Sequence, residues 1–153
     1  MGVIPSSENM PSTKFVFPKN FDTIVANKTF IIQMAIANMR TGNFANANSN
    51  FVAAPQQLDQ DGKIVGHSHI VIQQQESLFQ TAINSPKQFI FFKGLNSPAV
   101  NGILNATVEG GLSPGTYKMS SINTAANHQP VLVPIAQHGS LDDAVYVSQN
   151  VIF

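Results

Sequence analysis

Short runs of alternating apolar and polar residues recur along the chain from residue 14 onward, separated by Gly, Pro, Asn and Asp. In the longest run, residues 29–38, apolar side chains take every second position, the spacing that directs them to one face of a β-strand. No long stretch shows a clean helical period of 3.6 residues. The pattern predicts an all-β domain with this run as a core strand, whose shared face carries Phe30, Ile32, Met34 and Ile36.

Turn residues between the runs predict how the strands are connected. Asp59-Gln60-Asp61-Gly62 separates two β-rich runs and predicts a hairpin, whose first arm contains Pro55 and is expected at an edge or a bulge. Residues 41–50 predict a loop, and residues 73–85 predict a short helix. The other strands are expected at residues 51–58, 63–73, 88–93, 102–110, 116–122, 131–135 and 144–153.

Strands at this regular spacing predict a fold class and its limits. They are typical of a single antiparallel β-sandwich, immunoglobulin-like in the broad sense. We expect this sandwich to occupy residues 14–153. Residues 1–13 mix Pro, Ser, Glu and Asn without periodicity, which predicts a loose N-terminal arm.

The composition excludes several classes of function. The chain has no cysteine, which excludes disulfides, Cys-ligated zinc, iron–sulfur clusters and blue copper. Charged residues make up 10% of the chain, against about 25% in an average domain, and eight Lys and Arg residues balance eight Asp and Glu residues. Without a basic stripe, nucleic acid is not expected as a partner. No apolar run approaches the roughly 20 residues that span a bilayer, so no membrane partner is expected.

Two sequons bear on the compartment. Asn27-Lys28-Thr29 and Asn105-Ala106-Thr107 make Asn27 and Asn105 candidate glycosylation sites. Chance matches in an Asn-rich chain are the alternative explanation. Residues 1–14 lack the charged-then-apolar order of a signal peptide, so the expected extracellular localisation depends on the sequons, the scarce charge and the absence of cysteine.

The four histidines are candidate metal ligands. His67 and His69 are two residues apart in a predicted strand, so their side chains share one face. If the segments that carry His128 and His138 fold over that face, three imidazoles with a water, or with Asp142 or Asp143, would suit Cu(II) or Zn. The alternative is that the histidines are ordinary polar residues, because His-x-His alone is a weak motif.

Other candidate sites receive less support from the residues. His138 and Ser140, with Asp142 or Asp143, have the residue types of a nucleophilic triad, but there is no G-x-S-x-G elbow. Among the carboxylates only Glu109 lies in a predicted strand, which disfavours a glycosidase pair. Residues 89–92, Phe-Ile-Phe-Phe, predict a strand buried on both faces, with a binding platform at an edge as the alternative.

Three segments carry a resemblance to a known family. They are GHSHIVIQ at 66–73, FIFFKGLN at 89–96 and GGLSPGTYKMSSINTAANHQPVLVPIAQHGSLDDAVY at 110–146. Over residues 14–153 the chain resembles a family of small secreted fungal proteins of uncharacterised function, many of which have a signal peptide and a low-complexity spacer before the domain. The phrase L-x-P-G-x-Y at residues 112–117 is also similar to that of extracellular immunoglobulin-like sandwiches. Some of those resemble copper-handling domains, which implies a metal role for His67, His69 and His128.

These observations lead to two hypotheses about function. The first is a secreted structural or adhesive protein of the fungal wall or matrix, which needs no cofactor. Its partners would be wall polysaccharide or other copies of the chain, with which it would self-assemble. The second is a histidine-based copper or zinc protein, which with copper would be redox-active. Both hypotheses favour a non-enzymatic protein, because no convincing catalytic set is present.

Overall fold

The computed structural model describes residues 1–151, and over these residues the fold is all-β. The first sheet contains β1 (Ser12–Phe17), β3 (Phe30–Ala37) and β7 (Ile103–Val108). The second contains β2 (Thr23–Val25), β4 (Met39–Arg40), β5 (Ile64–Gln75), β6 (Phe91–Leu95), β8 (Gly115–Ala125) and β9 (Ala144–Asn150). The first sheet is antiparallel with the order β1-β3-β7, and the second is mixed with the order β2-β9-β8-β5-β4, with β6 paired to β5 as well.

One apolar core lies between the two sheets. Strand β3 confirms the predicted alternation, since Phe30, Ile32, Met34 and Ile36 are buried while Ile31 is half exposed. The same core receives side chains from the second sheet, so each sheet turns an apolar face to the other. Its members from the second sheet include Ile70, Ile72, Leu95, Tyr117, Met119, Val145 and Val147.

The all-β prediction is confirmed, but the prediction of a single antiparallel sandwich is wrong. Strand β2 runs parallel to β9, and β4 runs parallel to β5. Between β3 and β4 the chain passes from one sheet to the other through Asn38, which has a φ of 57°, a left-handed conformation that Asn tolerates. A strand that changes sheets pairs with the neighbour that it meets in the second sheet. The alternation of apolar and polar side chains does not indicate whether this pairing is parallel or antiparallel.

Three predicted elements are absent from the described residues 1–151. Residues 51–58 form no continuous strand, although Leu58 makes an antiparallel bridge with Ile64 across the predicted turn and Gln56 makes a bridge with Gly2. Residues 131–135 form no strand, although Pro130 makes a bridge with Thr124. In place of the predicted helix, β5 continues to Gln75 and turns follow it. The predicted last strand is confirmed as β9, and residues 152–153 lie outside the described residues.

The prediction that residues 89–92 are buried on both faces is wrong. Phe89 is 52% exposed and Phe92 is 49% exposed. Strand β6 pairs with β5 and with no further strand among the described residues, so nothing in a neighbouring strand covers its outer side chains. An apolar run in the sequence does not reveal that its strand will lie at an edge.

The N-terminal residues lie against the domain. The Val3 amide donates to the Gln56 carbonyl at 2.9 Å, and Gln129 Nε2 donates to the Met1 carbonyl at 3.1 Å. Strand β1 begins at Ser12, close to the predicted start of the domain, and the limits themselves stay a prediction. In the described part of the chain, no helix has the length and apolar character needed to cross a membrane.

Candidate metal centre

Strand β5 presents two histidines on the face away from the core. Ile70 and Ile72 point into the core, so the intervening positions point outward, as the alternation predicts. The ring centroids of His67 and His69 are 4.7 Å apart. Both side chains are nevertheless buried, with exposed fractions of 0% and 7%, because loops cover this part of the sheet.

A tight turn after β8 supplies the third histidine. The antiparallel register places His67 opposite Thr124, so the turn that follows lies beside the imidazoles of β5. The His128 amide donates to the Ala125 carbonyl at 3.0 Å, and His128 has a φ of 72°. This is the left-handed position that ends a three-residue hairpin loop. A non-glycine residue there costs about 1–2 kcal/mol.

The three imidazoles converge. One ring nitrogen from each of His67, His69 and His128 lies within 4.8 Å of the other two. The ring centroids of His128 are 4.6 Å from those of His67 and 5.5 Å from those of His69. We call these three side chains the histidine group.

Backbone carbonyls fix the tautomers of two members of the histidine group. His67 Nδ1 lies 3.1 Å from the Asn43 carbonyl oxygen, and His128 Nε2 lies 3.0 Å from the Ala45 carbonyl oxygen. Because a carbonyl oxygen only accepts, both of these nitrogens carry hydrogen. In the neutral rings the other two nitrogens therefore carry lone pairs, and these nitrogens are 3.3 Å apart.

Two ring nitrogens that both carry lone pairs at this distance are stabilised by a cation between them. The nearby Thr124 hydroxyl is 3.4 Å from His67 Nε2, too far for a strong hydrogen bond. Two nitrogens bound at about 2.05 Å to one ion at the tetrahedral angle are about 3.3 Å apart. The observed spacing therefore suits a shared metal ion as well as a shared proton.

Burial disfavours a proton shared between the His67 and His128 rings. Burial, together with the neighbouring His69 and His128, lowers the pKa of His67 to about 4, while the hydrogen bond to the Asn43 carbonyl opposes the shift. Burial also lowers the pKa of His69, with a further contribution from His128 and opposition from the Ile122 carbonyl. Nδ1 of His69 is buried and has no hydrogen-bond partner among the described residues. Neutral imidazoles with free lone pairs are the form that binds metal.

The other candidate ligands lie elsewhere. His138 is exposed and contacts its neighbour Gly139, and it does not belong to the histidine group. Asp142 accepts hydrogen bonds from the Ser121 hydroxyl and the Asn123 amide. Asp143 accepts from the Phe15 amide and pairs with Lys14 at 3.2 Å. These carboxylates hold β1 and β8 together, and no ligand role is needed to explain them.

A loop at residues 43–52, which we call the cover loop, closes over the histidine group. Besides its two carbonyl contacts, it is fixed to the turn by the Ala45 amide, which donates to Ala126 at 2.7 Å, and by the Val52 amide, which donates to Asn127 at 2.8 Å. The Phe44 and Phe51 rings lie 6.1 Å from His67 and 6.0 Å from His128. The loop contains the short helix α1 (Ala47–Asn50).

Sequence reasoning missed the contribution of the cover loop. The segment reads as an Asn-rich loop, and backbone carbonyls that bind imidazoles leave no residue signature. The Phe92 ring, 5.0 Å from His69, was expected in the core. The local sequence around Phe92, FIFFKG, does not distinguish an edge strand from a central strand.

The candidate glycosylation sites are accessible. Asn27 is exposed, and Asn105 is exposed between buried Leu104 and Ala106, as the alternation of β7 predicts. Thr29 of the first sequon accepts a hydrogen bond from the Gly110 amide at 2.9 Å. Accessibility is required for modification but does not test it, so glycosylation stays a prediction.

Comparison with known proteins identifies the family to which the chain is similar. A protein-family model described as the CLU5d N-terminal domain matches residues 13–150. "Pathogenicity cluster 5 protein d" of Colletotrichum graminicola is 43% identical over 145 residues, and the match covers 94% of this chain. The chain spans only 30% of the length of that relative.

One solved structure was also found to be similar to this chain. It is described as "Structures of Clostridium thermocellum CbhA fibronectin(III)-like modules", with 13% identity and a TM-score of 0.46, over 96% of this chain and 48% of that one. The family match, in contrast, covers nearly the whole chain and confirms the resemblance to a fungal family. The chain belongs to the CLU5d N-terminal domain family.

Proposed function

We propose that this domain binds one copper or zinc ion through His67, His69 and His128. The observation that carries the proposal is the pair of ring nitrogens of His67 and His128, which face each other at 3.3 Å with their opposite nitrogens held by carbonyls. A third imidazole, His69, lies within reach of the same point. Imidazole is a ligand suited to both metals.

The surroundings support a metal role over a purely structural one. Metal-binding histidines generally donate their other ring N–H to a carbonyl or carboxylate, which fixes the ring and raises its basicity. Asn43 and Ala45 provide such carbonyl partners. A structural cluster of neutral histidines would satisfy its inner nitrogens with hydrogen-bond donors, and His69 Nδ1 lacks one among the described residues.

Three protein ligands leave one coordination position open. A three-histidine set with an exchangeable fourth ligand is the arrangement of reactive zinc sites, whereas structural zinc has four protein ligands. Zinc in this site would act as a Lewis acid, and copper would add one-electron chemistry. The proposal is therefore a site that captures a metal and keeps it reachable by a small ligand.

Elemental analysis followed by calorimetric titration tests this proposal. Untagged protein, purified without chelator, is titrated with Cu(II) and with Zn(II). We expect one ion per chain. His69→Gln is expected to weaken metal binding by more than the roughly 10- to 100-fold that is typical of losing a hydrogen-bond partner of a metal ligand.

Matched variants separate a lost ligand from a lost fold. His138→Gln changes an exposed histidine outside the histidine group and should leave the affinity unchanged. His128→Gly removes a ligand at a turn position that glycine accommodates, so it should fold and still lose binding. No saturable binding by the native chain, or equal binding by the His69 and His138 variants, would contradict the proposal.

A second candidate function is association with an extracellular wall or matrix, or with other copies of the chain. The observation that favours it is a pair of exposed apolar side chains in the segment after β5, with Phe79 83% exposed and Ile83 98% exposed. The chain has a formal net charge of zero, which gives little repulsion between copies. The exposed sequon residues Asn27 and Asn105 agree with an extracellular location.

Sedimentation velocity at increasing concentration, with pull-down on chitin and β-glucan, tests this second candidate. We expect concentration-dependent association or retention that Phe79→Ser/Ile83→Ser abolishes. Lys87→Ser, in the same exposed segment, serves as the control. A monomer at every concentration with no retention on either polysaccharide would remove the candidate.

A further inference from the structure

A cavity of about 350 Å³ opens beside the histidine group. His69 and His128 form part of its wall, and the Phe44 and Phe92 rings form another part. Among the described residues that line it there is no Asp, Glu, Lys or Arg. Apolar and aromatic walls with a few polar groups, at this volume, are typical of sites for small molecules.

The cavity adjoins the histidine group. Two of the three proposed ligands line it, so a molecule in the cavity lies next to an ion held by the histidine group. Phe92 is tilted by 38° against the His69 ring, with centroids 5.0 Å apart. An aromatic ring in the cavity would meet aromatic walls at the distances that such pairs favour.

Charge selects the donor atom of the ligand. Three neutral imidazoles leave the charge of a divalent ion uncompensated, in a site whose described lining carries no carboxylate. An anionic oxygen donor therefore gains most, whereas a cationic amine would be repelled. A simple carboxylate has the charge but no apolar body to cover Phe44 and Phe92.

We propose, on the basis of the proposed metal site, that this cavity binds a single-ring phenol whose oxygen occupies the open coordination position. The ring packs against Phe44 and Phe92, and the Asn96 amide at the rim provides a polar contact for a ring substituent. A bound cation lowers the pKa of an oxygen acid that coordinates it. The phenol therefore binds as phenolate at neutral pH.

Coordination exchanges one ligand and releases one proton. The phenol O–H bond breaks and its proton passes to bulk water. A water in the fourth position of the ion would leave, and a bond between the metal and the phenolate oxygen would form in its place. No electron is transferred, so the step needs neither oxidant nor reductant.

Binding of 4-fluorophenol to the Zn(II)-loaded chain, followed by ¹⁹F NMR, tests this inference. The matched ligand is 4-fluoroanisole, which has the same ring but no acidic proton. We expect saturable binding of the phenol, at least tenfold weaker binding of the anisole and release of about one proton on calorimetry in two buffers. The metal-free chain should bind both compounds weakly and equally.

Two phenylalanine variants locate the binding. Phe92→Ala removes a wall of the cavity from a half-exposed position and should weaken phenol binding about five- to tenfold, with Zn(II) affinity within twofold of the native value. Phe89→Ala is the control, because its ring lies 5.7 Å from that of Phe92 but does not line the cavity. It should change neither affinity.

The outcomes distinguish this inference from the proposed metal site. Zn(II) binding without phenol binding, or equal binding of phenol and anisole, overturns the phenol site alone. Equal effects of Phe92→Ala and Phe89→Ala also overturn it. Failure of the chain to bind Zn(II) or Cu(II) overturns both proposals.

Discussion

At the scale of single residues, His67 and His128 determine which ring nitrogens of the histidine group carry lone pairs. Each ring has one nitrogen bound to a carbonyl of the cover loop, so each turns a lone pair toward the other. Burial then keeps His67 neutral. The same features that exclude a proton leave the nitrogens free for a metal ion.

The buried His67 predicts how the metal-free domain responds to acid. Its pKa is about 4 in the folded chain and about 6.5 when unfolded, so the unfolded state binds more protons between these values. Stability is therefore retained above pH 6.5 and lost as the pH falls toward 4, by on the order of 3 kcal/mol. Urea unfolding of chelator-treated protein at stepped pH measures this change.

His67→Gln should flatten that dependence, although His69 keeps part of it because its pKa is lowered as well. His138→Gln, at an exposed position, should leave the dependence unchanged. If the native chain were equally stable at pH 6.5 and pH 4.5, His67 would not be buried in its neutral form.

The positive φ of His128 predicts a difference between two substitutions at that position. His128→Gly and His128→Ala both remove the imidazole, but only alanine keeps a Cβ in the left-handed conformation. We expect the glycine variant to be more stable than the alanine variant by about 1 kcal/mol. Urea unfolding without metal measures the difference, and an alanine variant of equal or greater stability would show that this turn is not left-handed.

At the scale of elements, the cover loop and the turn after β8 form one unit around the histidine group. The loop is tied to the turn by the Ala45 and Val52 amides. Most of its side chains are exposed, so little buried apolar area holds it in place. Segments of this kind open locally without global unfolding.

Metal binding should therefore slow hydrogen exchange in the cover loop. An ion that binds His67 and His128 fixes the two rings to which the loop carbonyls are bound. We expect amides in residues 43–52 and 126–128 to exchange at least about tenfold more slowly with Zn(II), in proportion to the added binding energy. Hydrogen exchange with mass spectrometry of the free and loaded chain measures this effect.

Strands β1, β3 and β7 provide an internal control, since none of the histidine group lies on them. Their exchange should change only as far as global stability changes. Equal slowing in both sheets, with no excess in the cover loop, would contradict coupling between the loop and the histidine group.

At the scale of the whole molecule, the sequence predicts those features of the fold that depend on the local alternation of apolar and polar residues. Strand β3 and the shared face of His67 and His69 follow from period-two spacing, because a strand's own geometry sets them. The direction of β2 and β4 does not follow, because pairing direction depends on where the chain crosses between sheets.

The sequence also does not separate His128 from His138. The register that places His67 opposite Thr124 brings the turn with His128 to the site, whereas His138 lies in a loop that contacts no other histidine among the described residues. Long-range register of this kind is absent from one sequence. The exposure of Phe92 depends on the same information, since it follows from the edge position of β6.

A crystal of the metal-loaded chain, measured at the absorption edge of the bound metal, tests the central claim most directly. We predict a single anomalous peak about 2.0–2.1 Å from one ring nitrogen each of His67, His69 and His128, with none at His138. The Asn43 and Ala45 carbonyls should keep their contacts with the outer nitrogens. A fully occupied peak elsewhere, or no peak under conditions that saturate the protein in solution, would contradict the metal site.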